Sequence, residues 1–463
     1  MLTPLPRFSR IGLALLLVSC SEEDERACDV AAQSGCPSSL ACEEVPGGAP
    51  ACFAPVVLAG KVTSLSNGSA VAGARVVALD INGAPQSAVA VSTSDGSYWL
   101  RVPSPRKPDG APVGSQVTLR ADAAGFQSFP QGIRTSLPID TSNPTKKEGK
   151  LVVASALTDI GLIPLPEGAG TGAIAGTVEV PKTHGGVLVV AETLDGRGTA
   201  AIADRDGDFI IFNLKEGPYR VRAYTKGVNH DLHEVTVEPG KTAKVALESN
   251  AKPTSSVAGK VELVNAPAGS GTSVILVVES TFNTSLARGD SPPGLRTPAP
   301  GVAPNVTGDF TIDGVPEGRY VVLAAFEDDA LVRDPDPGIA GTQVLHQEVT
   351  SSASVVLPQS FKVTGALEMI SPGASGATRV ASAPTLSWED DSSEDGYHVT
   401  VYDALGAAVW THEEPRHTGT TPKVAYGGPL VPGMFYQLRV VSFRSRGPIS
   451  LSEDLKGVFH YQP

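Results

Sequence analysis

Short apolar runs, broken every few residues by Gly, Pro, Asp or Ser, set the rhythm of this 463-residue chain. Three stretches repeat one grammar. Each opens with Gly-x-Val: Gly60-Lys61-Val62, Gly176-Thr177-Val178 and Gly259-Lys260-Val261. Each continues into an apolar strand, Ala74–Leu79, Val187–Ala191 or Val274–Val278, and then into a turn leading to an aromatic strand. Those turns are Asp95-Gly96-Ser97-Tyr98, Asp206-Gly207-Asp208-Phe209 and Thr307-Gly308-Asp309-Phe310. Tyr219-Arg220-Val221-Arg222-Ala223-Tyr224 alternates, with Tyr219, Val221 and Ala223 on one face and the arginines on the other. That period of two predicts a half-buried antiparallel strand. The turn glycines supply the positive φ that tight turns require.

Composition sharpens this to an all-β chain of tandem antiparallel β-sandwiches. With 49 Gly, 38 Pro and only 3 Met, turn-formers punctuate the strands and little reads as helix. The length prior allows three or four domains. A net charge of −13, spread along the chain, repels polyanions and argues against nucleic acid as a partner.

The N-terminus has its own pattern. Arg7 and Arg10 precede the apolar run Ile11–Val18, which ends in Leu17-Val18-Ser19-Cys20. This is the order of a secretory signal, and the run is too short for the ~20 residues that span a bilayer. Leu-x-Ser-Cys resembles the lipobox of bacterial lipoproteins. The resemblance implies a signal peptide over 1–19, lipidation of Cys20 with palmitate-type chains, and attachment to the outer membrane on its periplasmic or outer side. Beyond Cys20, Cys28, Cys36, Cys42 and Cys52 are the chain's only other cysteines. Four thiols in an exported protein predict two disulfides, with three connectivities open. Without a Cys-x-x-Cys pair they do not read as a zinc site. Residues 20–55 therefore read as an acidic, Cys-rich, solvated spacer, resembling the stalks of many myxobacterial lipoproteins.

Val71-x-Gly73-Ala74-x-Val76, followed by Thr93-x-Asp95-Gly96-x-Tyr98 and Ala124-Gly125-Phe126, resembles the carboxypeptidase regulatory-like domain. That family implies a transthyretin-like sandwich over 56–166, a second over 171–249, and a divergent third over 255–358. Pro384-Thr385-Leu386-Ser387-Trp388 and Leu430-Val431-Pro432-Gly433-Met434-Phe435-Tyr436 resemble a fibronectin type III domain over 361–463. There the resemblance makes Trp388 a core residue and Tyr436 the tyrosine of a corner that bonds back to backbone.

Few constellations suggest chemistry. Asp204, Asp206 and Asp208, at i, i+2 and i+4 around Gly207, form a candidate structural calcium site; the competing reading is a solvated β-turn. The acidic runs Glu389–Asp395 and Glu327–Asp329 read as solvated loops. His230 and His233 lack the third ligand a zinc site needs. Gly168-Ala169-Gly170-Thr171-Gly172 reads as a linker. Tyr98 and Trp99 are adjacent on a strand, so one points inward and the other outward. Trp99 and Trp410 are the candidate ligand-binding aromatics.

These features predict a non-catalytic, lipid-anchored envelope protein whose sandwiches form a rod. It would act as a spacer, an adhesion module or a binding scaffold, with polysaccharide or an envelope protein as partner. A carbohydrate-binding lipoprotein is the second reading, and an accessory subunit of a secreted hydrolase a more distant third. Four β modules leave no stretch of ~200 residues for a catalytic domain.

Overall fold

The computed structural model describes residues 1, 28–30, 33–80, 85–131, 134–166, 170–179, 187–264, 272–284, 288–298, 305–324, 331–333 (backbone only), 344–351, 353–391, 393–445, 447–453 and 455–463. Over these residues the chain is all-β, with a single 3₁₀ turn at Glu279–Thr281. Cys20, the segment 1–19 apart from Met1, the acidic run 21–25 and the loop Glu327–Asp329 lie outside the described residues.

Each of the first three sandwiches has one long strand at the centre of its first sheet. In the first, Val56–Ser64 pairs antiparallel with Ser97–Val102 and parallel with Lys150–Val153 and Ile160–Leu162. In the second, Gly172–Val178 pairs with Asp208–Leu214 and, in parallel, with Thr242–Leu247. The glycine of each Gly-x-Val sits inside this central strand. A Cβ at Gly60 would lie 2.0 Å from the Thr158 carbonyl oxygen, and one at Gly176 would lie 1.7 Å from that of Val245. At Gly60 and Gly176 the glycine is thus required by close approach of neighbouring backbone, whereas a Cβ at Gly259 would meet the Phe310 and Leu357 side chains.

In the third sandwich Ser255–Leu263 pairs with Asp309–Val315 and, in parallel, with Phe361–Gly365. Phe361 and Val363 are buried in the third core, whereas Leu367 and Met369 are buried in the fourth. The changeover therefore falls between Gly365 and Leu367, a correction to the sequence-based boundary at 358–361. In the fourth sandwich Trp388 is fully buried and packs edge-on against Tyr397, at 5.3 Å between centroids. The Tyr436 hydroxyl accepts a hydrogen bond from the Val431 N–H at 2.7 Å.

The expected rod is not what the structure shows. Val76–Leu79, Val187–Ala191 and Val274–Val278 are apolar at successive positions because both faces of these strands are covered, the pattern of fully buried strands. Val76 and Ala78 face the first core while Val77 faces away. Val189 faces the second core while Leu188 and Val190 face away. These outward residues, with Ala200, Ile202 and Tyr224, join the third sandwich in one continuous core, and Tyr224 meets Tyr320 edge-on at 6.0 Å. The first three sandwiches are packed side by side, and the fourth returns to the first. Arg134 donates to the carbonyl oxygens of Gly161 (2.6 Å) and Leu405 (2.5 Å).

Candidate functional site

Polar groups lock the junction of the three sandwiches. Arg120, at an outward position of Gln116–Asp122, donates to Asp122 (2.9 Å), to the Ala200 carbonyl of the second sandwich (2.7 Å), and to Asp290 of the third. Burial disfavours charge on Arg120, but Asp122 and Asp290 outweigh it and raise its pKa. Arg296 pairs with Asp80 in the same manner, third sandwich to first. Asn213, at φ 60°, donates to the Ala123 and Phe126 carbonyls and accepts from the Gly125 N–H. Asn229 Oδ1 accepts from the Glu317 N–H at 2.6 Å, joining the second sandwich to the third. Sequence reading missed these residues. On an alternating strand an outward Arg or Asp looks the same whether it faces water or another domain.

Asp204, Asp206 and Asp208 are not gathered as a calcium site. Asp204 Oδ1 accepts the backbone N–H groups of Asp206 (3.1 Å) and Asp208 (2.9 Å), closing the turn on itself. Arg75 of the first sandwich lies 3.8 Å from Asp204 Oδ2 and donates to the Asp208 carbonyl at 3.0 Å. The Asp204 carboxylate is thus a turn cap and an interdomain contact. Among the described residues, the one close trio of potential metal ligands is Cys28, Cys36 and Cys52, whose sulfurs belong to disulfides.

Those disulfides are Cys28–Cys42 and Cys36–Cys52, and Cys42 and Cys52 face each other across the hairpin Ala41–Glu43/Ala51–Phe53. The segment does not stand off as a solvated spacer. Glu43, 1% exposed, takes Arg101 at 3.1 Å and the Ser104 N–H at 3.1 Å. Arg106 donates to the Ala54 carbonyl at 2.7 Å and lies over the Phe53 ring. The knot is docked on the first sandwich because its buried carboxylate and aromatic ring find cationic partners there.

The two candidate aromatics differ. Tyr98 is buried, its hydroxyl donating to the Thr158 carbonyl, whereas Trp99 is 44% exposed, as alternation requires. Lys150 Nζ lies 5.2 Å from the Trp99 ring centroid. Trp410 is half-buried, stacked on His412 at 5.5 Å and edge-on to Tyr426 at 5.4 Å. Its surface role is therefore the weaker of the two. His230 is buried, with Nε2 3.4 Å from the Glu179 carbonyl oxygen, and burial lowers its pKa.

These strands and cores make the chain an all-β protein of tandem β-sandwiches. Residues 169–245 match the family model for polysaccharide lyase family 4, domain II. The match falls on the second sandwich, where the sequence pattern resembles a regulatory-like domain. No curated protein matches the chain. Similar solved structures include the Bacillus anthracis TIE protein, at 12% identity and TM-score 0.16, covering 89% of this chain and 70% of that one. The minor pilin GBS52 of Streptococcus agalactiae is 14% identical with TM-score 0.19, covering 43% of this chain and 98% of its own. A DUF3823 family protein from Bacteroides uniformis is 12% identical with TM-score 0.20, covering 46% and 100%.

Proposed function

We propose that this protein is a non-catalytic, lipid-anchored component of a bacterial cell envelope. In this reading, acyl chains on Cys20 hold one end in the outer membrane and the packed sandwiches form a rigid platform for a partner. The observation that carries the anchor is Leu17-Val18-Ser19-Cys20 at the end of the apolar run, and the platform rests on the three-way junction at Arg120, where groups of three sandwiches hold one another. A docked knot begins eight residues after Cys20, so the platform would start within about 27 Å of the lipid even with the connection fully extended. Dual or triple acylation suits such a tether, since one chain alone binds membranes only marginally. Radiolabelled palmitate in cells producing the wild type and Cys20→Ala tests the reading. Label should enter the wild type and not the variant, which should partition with soluble envelope proteins. An unlabelled wild type would overturn it.

A second reading, carbohydrate binding at the surface, is favoured by half-exposed Trp99 on the outward side of the first sheet. It also draws on the polysaccharide lyase domain model matched by residues 169–245.

A further inference from the structure

The first sandwich carries a charge balance unlike that of the whole chain. Residues 56–166 hold ten Lys and Arg against seven Asp and Glu, a surplus of three positive charges in a protein of net −13. Several of these cations share the face that presents Trp99. Ala59 is opposite Trp99 and Val57 opposite Arg101 in one ladder, and Lys150 is opposite Lys147 in the other. The inward set Val56, Leu58, Tyr98 and Leu100 faces the core, so Trp99, Arg101, Lys147 and Lys150 lie on the opposite side. Arg101 is paired with Glu43, while Lys147 and Lys150 form no ion pair among the described residues.

We infer that this face, with Trp99 at its centre and Lys147, Lys150 and Arg101 around it, binds an acidic polysaccharide. An indole half open to solvent gives a sugar ring a flat apolar platform. Unpaired ammonium groups beside it complement carboxylates along a polyanionic chain, and a basic patch on an acidic molecule steers such a polymer to one place. The acidic run Ser21-Glu22-Glu23-Asp24-Glu25 next to the anchor makes an anionic bilayer the poorer partner for the same face. The inference rests on the carbohydrate reading above and gives it a charge class.

The test uses the full chain in non-ionic detergent, with alginate as the uronic acid polymer, dextran as the neutral one, and phosphatidylglycerol vesicles as the competing anionic surface. Alginate should retard the wild type in affinity electrophoresis, less so as salt is raised. Trp99→Ala, and Lys147→Ala with Lys150→Ala, should each weaken retention about tenfold. Lys260→Ala, whose lysine pairs with Glu262 in the third sandwich, should not. Unchanged melting curves would show that the variants are folded. Absence of alginate retention, retention indifferent to both surface variants, or capture by vesicles through these residues without alginate binding would overturn the inference. Dextran bound through Trp99 in place of alginate would sink the charge class and leave the carbohydrate reading standing. Binding of neither polymer would sink both.

Discussion

Arg120 of the first sandwich and Asp290 of the third, 170 residues apart in the chain, meet as a partly buried ion pair. The Ala200 carbonyl of the second sandwich completes the guanidinium's coordination. Removing one partner of such a partly buried pair leaves the other charge short of a partner, which costs about 1–3 kcal/mol. Arg120→Ala should therefore destabilise the chain by that amount in urea titrations. It should also admit protease between the sandwiches before any of them unfolds. Digestion products at sandwich boundaries, absent from the wild type, are the expected signature.

Glu317 links the second and third sandwiches through its backbone, and its side chain holds Lys252 at 3.1 Å and the Ser351 N–H at 3.3 Å. The hydrogen bond from Ser351, then the Lys252 contacts, hold its pKa below the ordinary glutamate value of 4.5 despite partial burial. A depressed carboxylate stabilises the fold above its unfolded pKa, and that contribution is lost as pH falls through the folded value. Glu317→Gln should therefore lower the melting temperature at neutral pH, and the gap to wild type should close in acid, below about pH 4. A gap independent of pH would remove the carboxylate's charge from the explanation.

The knot should be a separable element. Its two disulfides span 14 and 16 residues, and closing a loop near that length is worth roughly 3 kcal/mol. Replacing Cys28 and Cys42 together by Ser should release Glu43 from its site and expose the segment before Val56 to a glutamate-specific protease after Glu43 and Glu44. The first core, built from Val56 onward, should persist. Mass analysis of limited digests reads both outcomes.

Trp388 and Trp99 should respond oppositely to truncation. Trp388→Ala empties a fully buried site and should cost about 3–5 kcal/mol, unfolding the fourth sandwich first. Trp99→Ala, at a half-exposed position, should change stability by less than about 1 kcal/mol. Calorimetric melts of both variants check the contrast.

What the sequence made legible is local. Tyr98 inward and Trp99 outward follow from alternation, and the Trp388 and Tyr436 positions follow from motifs a few residues long. Contacts between sandwiches were not legible, because Arg120, Asp290 and Asn213 have nothing nearby in sequence that marks their partners. One signal was present and went unused. The unbroken apolar runs at Val187–Ala191 and Val274–Val278 lack the alternation of a half-exposed sheet, and both-sided burial is its physical meaning. Phe361–Gly365 escaped for another reason. A parallel strand that completes the preceding sandwich carries no local mark of which sheet receives it. The disulfide pairing, open to three arrangements by spacing, is Cys28–Cys42 and Cys36–Cys52, which joins each cysteine of the hairpin to the preceding segment and not to its cross-strand neighbour.

Scanning calorimetry of the full chain tests the packed platform most directly. If the first three sandwiches share one core, residues 56–365 should melt in a single transition whose calorimetric and van't Hoff enthalpies agree. Three separate transitions, each with the enthalpy of one sandwich, would contradict it.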